Sequence, residues 1–154
     1  MKKRNNNNQY DERQLIERGK AFQQSFFILV IIMFINSILY GFVGIVWADY
    51  YYSQIIMIMV AITYGIIKMI CKDAYNDINY STINPALTVL GVAGLIGVWS
   101  NIMQMIRNNK GFIAKGQLTD NGAGIIMTGC MLSIGVVHLV KVLKDKKTDL
   151  DEDE

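Results

Sequence analysis

Four long apolar runs constrain this chain more than any other feature. They cover residues 26–48, 53–70, 86–106 and 124–143, and the first contains no charged residue. A helix rises 1.5 Å per residue, so about 20 apolar residues cross the ~30 Å hydrocarbon core of a bilayer. Lipid offers no hydrogen-bond partners, so a spanning backbone must satisfy its own polar groups. The runs therefore predict four transmembrane helices.

Composition excludes the ordinary soluble alternative. Of the 154 residues, 52% are hydrophobic, 18% are charged and one is proline. A soluble helical domain needs a polar face that returns every 3.6 residues, and the central turns of these runs lack one. A cleaved signal peptide ending near Val46-Trp47-Ala48 is a second alternative. Its apolar region would be about 7 to 15 residues long, which is shorter than the first run. We therefore expect an uncleaved anchor.

The predicted organisation is a single all-α domain, a four-helix transmembrane bundle with a short amphipathic N-terminal helix. Residues 1–10 contain four consecutive asparagines and are predicted to be disordered. Residues 11–143 form the transmembrane domain. Its short first helix starts at Asp11, with Gln14 as the reciprocal capping residue, and is expected to lie along the membrane interface. Residues 144–154 form an acidic cytoplasmic tail.

Basic residues predict the orientation of the chain. With the N-terminus inside, the inner segments carry twelve of the fifteen lysines and arginines, and the outer segments carry three. Cytoplasmic loops are enriched in these residues, which favours cytoplasmic N- and C-termini in a multi-pass protein of the cell membrane. Trp47 and the three tyrosines of residues 50–52 are typical of an aromatic belt at the outer interface.

Several short motifs resemble a family of small uncharacterised four-helix membrane proteins of Gram-positive bacteria. The motifs are Asp11-Glu12-Arg13-Gln14, Arg18-Gly19-Lys20-Ala21-Phe22, Val46-Trp47-Ala48 and Ile70-Cys71-Lys72-Asp73-Ala74-Tyr75. The resemblance covers roughly the first half of the chain. Members of that family often accompany small helix-turn-helix regulators, which implies an accessory or regulatory role and no particular biochemical activity.

Small and polar residues within the spans predict where the helices pack. In the third span five of them share one arc of about 140°: Gly91, Gly94, Gly97, Asn101 and Gln104. Glycines admit a second backbone, and we expect the two amides to hydrogen-bond across the contact. The fourth span has two such stripes, Gly129 with Ser133, and Gly124 with Thr128, Gly135 and His138. A stripe left uncovered would favour a homo-oligomer or another membrane protein as partner.

Three polar side chains in the apolar runs have competing interpretations. Asn36 would hydrogen-bond between helices or line a pore. Lys68 would extend into the headgroups or contact a substrate, and His138 would hydrogen-bond within the bundle or sense protons. Cys71 and Cys130 are expected to be free thiols, because they lie at different depths.

No catalytic, cofactor-binding or metal-binding motif is evident, so we predict a protein that is not an enzyme and has no cofactor. Two cysteines and one histidine at unrelated spacing do not form a zinc motif. The expected partners are the lipid bilayer and, through Lys141, Lys144, Lys146 and Lys147, anionic lipid of the inner leaflet. We expect no nucleic acid partner, because the net charge is only +2 and the basic residues are divided among membrane-proximal segments.

Two functions remain in competition at this point. The first is a non-enzymatic accessory or regulatory component that acts through helix–helix and cytoplasmic contacts. The alternative is a subunit of a small transporter or channel, which predicts a polar path lined by Asn36, Asn101, Gln104 and His138.

Overall fold

Four packed helices form the protein, as the apolar runs predict. The computed structural model describes residues 11–75 and 84–152. The helices are α1 (Glu12–Ile38, continued by a π-helical turn over Leu39–Val43), α2 (Tyr50–Cys71), α3 (Pro85–Asn108) and α4 (Asp120–Glu152). Within the described residues, these four helices are long and apolar enough to cross a membrane. The all-α class and the transmembrane bundle are confirmed, and the predicted disorder of residues 1–10 lies outside the described residues.

The first helix is a single long element. Asp11 caps it by accepting a hydrogen bond from the Glu12 N–H at 2.7 Å, and the Gln14 side chain accepts one from the Asp11 N–H at 3.1 Å. The helix then continues through the first apolar run without a break. The predicted N-terminal helix is therefore the first part of α1, because no proline or turn interrupts the backbone ladder. With its π-helical turn, α1 is about 48 Å long and exceeds the membrane core by several turns.

The first span also ends earlier than residue 48. Its last turn widens into the π-helical segment, and Gly44 adopts a left-handed conformation with φ +73°. The Gly44 N–H bonds to the Leu39 carbonyl, and so does the Ile45 N–H at 3.0 Å. Glycine adopts this conformation without steric cost, so it ends the helix. Residues 44–49 then form the connection to α2.

The other helices begin at capping residues close to the predicted boundaries. The Asp49 carboxylate accepts from the Tyr51 N–H at 2.9 Å, and the Asn84 side chain accepts from the Ala86 N–H at 3.0 Å. Pro85 occupies the first turn of α3, where its missing N–H costs nothing. The fourth helix runs past the predicted span to Glu152, so the start of the acidic tail continues the helix.

A two-residue β-hairpin joins α3 to α4, which the apolar pattern did not predict. Strands β1 (Ile113–Ala114) and β2 (Gln117–Leu118) pair antiparallel, with Ile113 opposite Leu118. Lys115 and Gly116 both have positive φ, at 53° and 78°, as a two-residue type I′ turn requires. The Leu118 N–H donates to the Trp47 carbonyl at 2.7 Å and ties the hairpin to the α1–α2 connection.

The helices pack in the order α1, α2, α4, α3, with the most extensive contact between α3 and α4. Ile70, Leu87 and Ile134 form a buried cluster where α2, α3 and α4 meet. No residue in the apolar part of α1 is buried and most are exposed, whereas Ala21, before that part, is fully buried. Exposed apolar side chains on a helix of this length are the surface that a lipid bilayer covers.

Candidate functional site

The closest helix contact lies between α3 and α4, and glycines form its centre. A Cβ atom built on Gly91 would lie 2.7 Å from the Gly135 Cα, and one on Gly94 would lie 2.8 Å from the Leu132 Cα. At both positions, the backbone of α4 is too close to leave space for a side chain on α3. One turn further, Gly97 faces the side chain of Thr128. All three predicted glycines of the third span therefore lie against α4.

The two amides that follow these glycines on α3 behave differently from each other. Asn101 donates from Nδ2 to the Gly97 carbonyl at 2.8 Å, within its own helix, while its side chain lies against Gly124 of α4. Gln104 is exposed. The Asn101 hydrogen bond thus lies within α3 and not across the helix contact, where we expected it.

The predicted α4 stripe of Gly129 and Ser133 lies outside this contact. No heavy atom of a neighbouring segment comes within 4 Å of a Cβ built on Gly129. Ser133 donates its hydroxyl hydrogen to the Cys130 carbonyl at 2.7 Å, again within its own helix. Within the described chain, then, Gly129 has space beside it.

His138 joins α4 to the beginning of α3. Its side chain is buried, with 2% of its surface exposed. Its Nε2 atom accepts a hydrogen bond from the Asn84 N–H at 3.2 Å. An imidazole nitrogen accepts only when it carries no proton, so this bond requires hydrogen on Nδ1 of a neutral ring. Of the two interpretations for His138, the geometry favours the hydrogen bond within the bundle.

Asn36 lies at the opposite end of the bundle, where it contacts the α1–α2 connection. Its Oδ1 atom accepts a hydrogen bond from the Trp47 indole N–H at 2.7 Å. Both residues line a cavity of about 220 Å³, together with Met33, Ser37, Tyr40, Ile45, Val46, Ala48, Tyr50, Ser53 and Gln54. We expected Trp47 to be an interfacial anchor in the same helix as Asn36. The left-handed turn at Gly44 brings the indole back onto Asn36 instead.

Asp73 organises the end of the bundle that carries both described chain ends. Its backbone has φ +54°, and its carbonyl accepts from Gln14 Nε2 at 2.9 Å. Its carboxylate pairs with Lys141 at 3.0 Å, and Lys141 also reaches Asp145 at 3.2 Å. One residue thus connects α1, α2 and α4. We call this end, defined by Gln14, Asp73 and Lys141, the terminal end.

Lys68 takes part in a small polar cluster on the seam between α1 and α2. Its ammonium hydrogen-bonds to Gln24 Oε1, and the Tyr64 hydroxyl donates to the same oxygen at 3.2 Å. The ammonium also lies 5.9 Å from the centre of the Tyr64 ring. We name Gln24, Tyr64 and Lys68 the Lys68 cluster. Lys68 therefore bonds to a neighbouring helix. Neither predicted interpretation, extension into the headgroups or contact with a substrate, included this bond.

A polar cavity of about 610 Å³ lies at the other end of the bundle, the hairpin end. Its lining comes from the end of α3, the hairpin and the start of α4: Gln104, Asn108, Asn109, Lys110, Gly111, Ala114, Gln117, Leu118, Thr119, Asp120 and Asn121. Thr119 fixes this region by donating to the Gly111 carbonyl at 2.9 Å and accepting from the Gly122 N–H at 3.2 Å. The apolar pattern does not predict the cavity, because part of its wall is a hairpin that this pattern does not mark.

The polar residues predicted from the sequence do not converge on one site. Asn36 and Gln104 lie at the hairpin end, Asn101 lies within the α3–α4 contact, and His138 lies near the start of α3. Within residues 11–75 and 84–152, no three histidine, cysteine or acidic side chains are grouped as a metal ion would require. Cys71 and Cys130 are free thiols.

Comparison of the chain with protein-family models, with curated proteins and with solved structures finds no match.

Proposed function

We propose that this four-span membrane protein is a non-enzymatic accessory or regulatory component that acts through protein contacts. One observation carries the proposal: several polar side chains of the spans bond back to their own helices. Ser37 donates to the Met33 carbonyl at 2.9 Å and Thr128 to the Gly124 carbonyl at 2.7 Å. Asn101 and Ser133 do the same. Polar groups satisfied in this way support packing and offer little to a passing substrate.

The transporter or channel alternative requires a polar path through the spans. Its four candidate residues, Asn36, Asn101, Gln104 and His138, are separated as described above, which favours the accessory role. If vesicles that contain the protein show solute flux, and Asn36→Leu abolishes that flux, the transporter or channel function would be favoured over the accessory role. The sequence resemblance to the Gram-positive membrane protein family points to the same accessory role.

The terminal end is the surface on which we place the partner. There the first turns of α1 and the last turns of α4 extend beyond the apolar spans, and the Asp73 contacts hold three chain segments together. A surface whose side chains are already held in place loses little conformational entropy when a partner binds.

Site-specific photocrosslinking in native membranes tests this proposal. A photoreactive residue at Lys72, which is exposed beside Asp73, is expected to give one discrete adduct that mass spectrometry identifies as a protein. The same residue at Lys115, in the hairpin turn, is the control and is expected to give none. Adducts at both positions, or at neither, would contradict a partner at the terminal end.

We also propose that the terminal end faces the cytoplasm, on the strength of the basic residues counted from the sequence. Two single-cysteine variants, Lys147→Cys and Lys110→Cys, test the orientation after Cys71 and Cys130 are replaced by serine. In intact cells, a membrane-impermeant maleimide is expected to label position 110 and to label position 147 only after permeabilisation. The reverse pattern would invert the topology.

A further inference from the structure

The Lys68 cluster presents more hydrogen-bond donors than its own acceptors use. The Lys68 ammonium has three N–H groups, and the Gln24 amide has two. The acceptor between them, Gln24 Oε1, already receives bonds from Lys68 and from the Tyr64 hydroxyl. The Tyr64 ring contributes its negative face to the ammonium and leaves the N–H groups available. Within the described chain, no carboxylate lies within ion-pair distance of Lys68.

Charge around the cluster is also unbalanced. Glu17, two turns before Gln24 on α1, pairs with Lys20 at 2.7 Å. The charges of Lys72 and Lys68 act on the same carboxylate. Three lysines therefore act on one acidic side chain, and a positive excess remains on the seam between α1 and α2. Lys141, by contrast, is shared between Asp73 and Asp145.

The cluster lies where the apolar runs of both helices end. Gln24 precedes the first run, which begins at Phe26, by two residues, and Lys68 lies two residues before the end of the second run at Ile70. Deeper along the same faces, at helical spacing, follow Phe27 and Ile31 on α1 and Val60 on α2. All three are exposed, at 54%, 55% and 39%. A donor-rich, positively charged group at the headgroup level thus borders an uncovered apolar surface.

We propose that the Lys68 cluster binds the phosphodiester headgroup of an anionic phospholipid, whose acyl chains cover the apolar surface between α1 and α2. The phosphate oxygens accept from the Lys68 ammonium and the Gln24 amide. The negative charge offsets the lysine excess, and the hydrocarbon chains bury apolar side chains that no other part of the described chain covers. This site depends only on the membrane location and not on the accessory role. It differs from the C-terminal lysines, where the sequence placed anionic lipid.

Native mass spectrometry of the full-length chain in detergent tests the site. Phosphatidylglycerol is the probe and phosphatidylcholine the comparison. We expect phosphatidylglycerol to bind at least fivefold more tightly, and Lys68→Met to weaken its binding about five- to tenfold, because one lysine–phosphate contact is lost. Lys68→Arg keeps the charge and is expected to stay within twofold of the parent chain.

Lys110→Met is the matched control, since it removes one positive charge from an exposed position at the hairpin end, far from the Lys68 cluster and from the C-terminal lysines. It is expected to change phosphatidylglycerol binding by less than twofold. Equal losses for Lys68→Met and Lys110→Met, or no loss for Lys68→Met, would overturn the proposal. Displacement of the lipid by millimolar inorganic phosphate would also overturn it, by assigning the cluster to a soluble anion. If Lys68→Met fails to fold, Gln24→Met provides the same comparison through the amide donors.

Discussion

Replacing Gly91 with leucine is expected to lower the free energy of unfolding by about 3 kcal/mol, at the upper end of the range for overpacking. The first added carbon would lie 2.7 Å from the Gly135 Cα, and backbone cannot move aside as a flexible side chain does. Helices α3 and α4 must separate to accept the new side chain, which weakens the most extensive contact in the bundle. Unfolding of the purified protein in mixtures of mild detergent and dodecyl sulfate measures the change.

Gly129→Ala is the control, because it adds a side chain to a glycine of α4 that lies outside the α3–α4 contact. No neighbouring heavy atom lies within 4 Å of its added carbon, so the substitution meets no steric barrier. Alanine is also the better helix former, and we expect a neutral effect or a gain of up to about 1 kcal/mol. If both substitutions destabilise the protein to a similar extent, the effect of Gly91→Leu does not arise from the close Gly91–Gly135 crossing.

Replacing His138 with leucine is expected to cost about 2 kcal/mol, the second largest effect among our predictions. Leucine fills much of the same volume but offers no acceptor to the Asn84 N–H, which lies 3.2 Å from His138 Nε2. Removing one partner of a partly buried hydrogen bond costs more than the bond contributes, because the other group loses its compensation for leaving water. Hydrogen exchange should therefore accelerate at Asn84 and in the first turn of α3.

Glutamine at position 138 separates the hydrogen bond from side-chain volume. Its side-chain oxygen reaches about as far as the imidazole Nε2 and can accept from the same N–H. We expect His138→Gln to retain most of the stability and the slow exchange at Asn84. If leucine and glutamine are equally destabilising, the ring contributes through packing, and the bond to Asn84 is not important.

The sequence predicted the number and class of the helices because membrane spanning depends on run length and composition, which are local properties. The packing side of α3 followed for the same reason, since Gly91, Gly94 and Gly97 fall on one arc of any helix. The partner that each glycine meets was not predictable, because it depends on how α3 and α4 cross.

Contacts that depend on turns of the chain were not predicted. The bond between Asn36 and Trp47 depends on a left-handed turn at Gly44, inside a run that composition alone assigns to one continuous helix. The α3–α4 connection also contains a turn signal, Lys115-Gly116, but its flanking strands are only two residues long. The network around Asp73 joins residues 59 and 68 positions apart in the chain, a separation at which local patterns carry no information.

The packing order α1, α2, α4, α3 has a consequence for biogenesis. Ribosomes deliver helices in chain order, so α3 enters the membrane before α4, the helix that supplies most of its contacts. Until the last span arrives, the glycine face of α3 has only lipid beside it. Assembly therefore finishes with the closest contact in the molecule, and a nascent chain that stops short of α4 exposes that face to the cell's quality control.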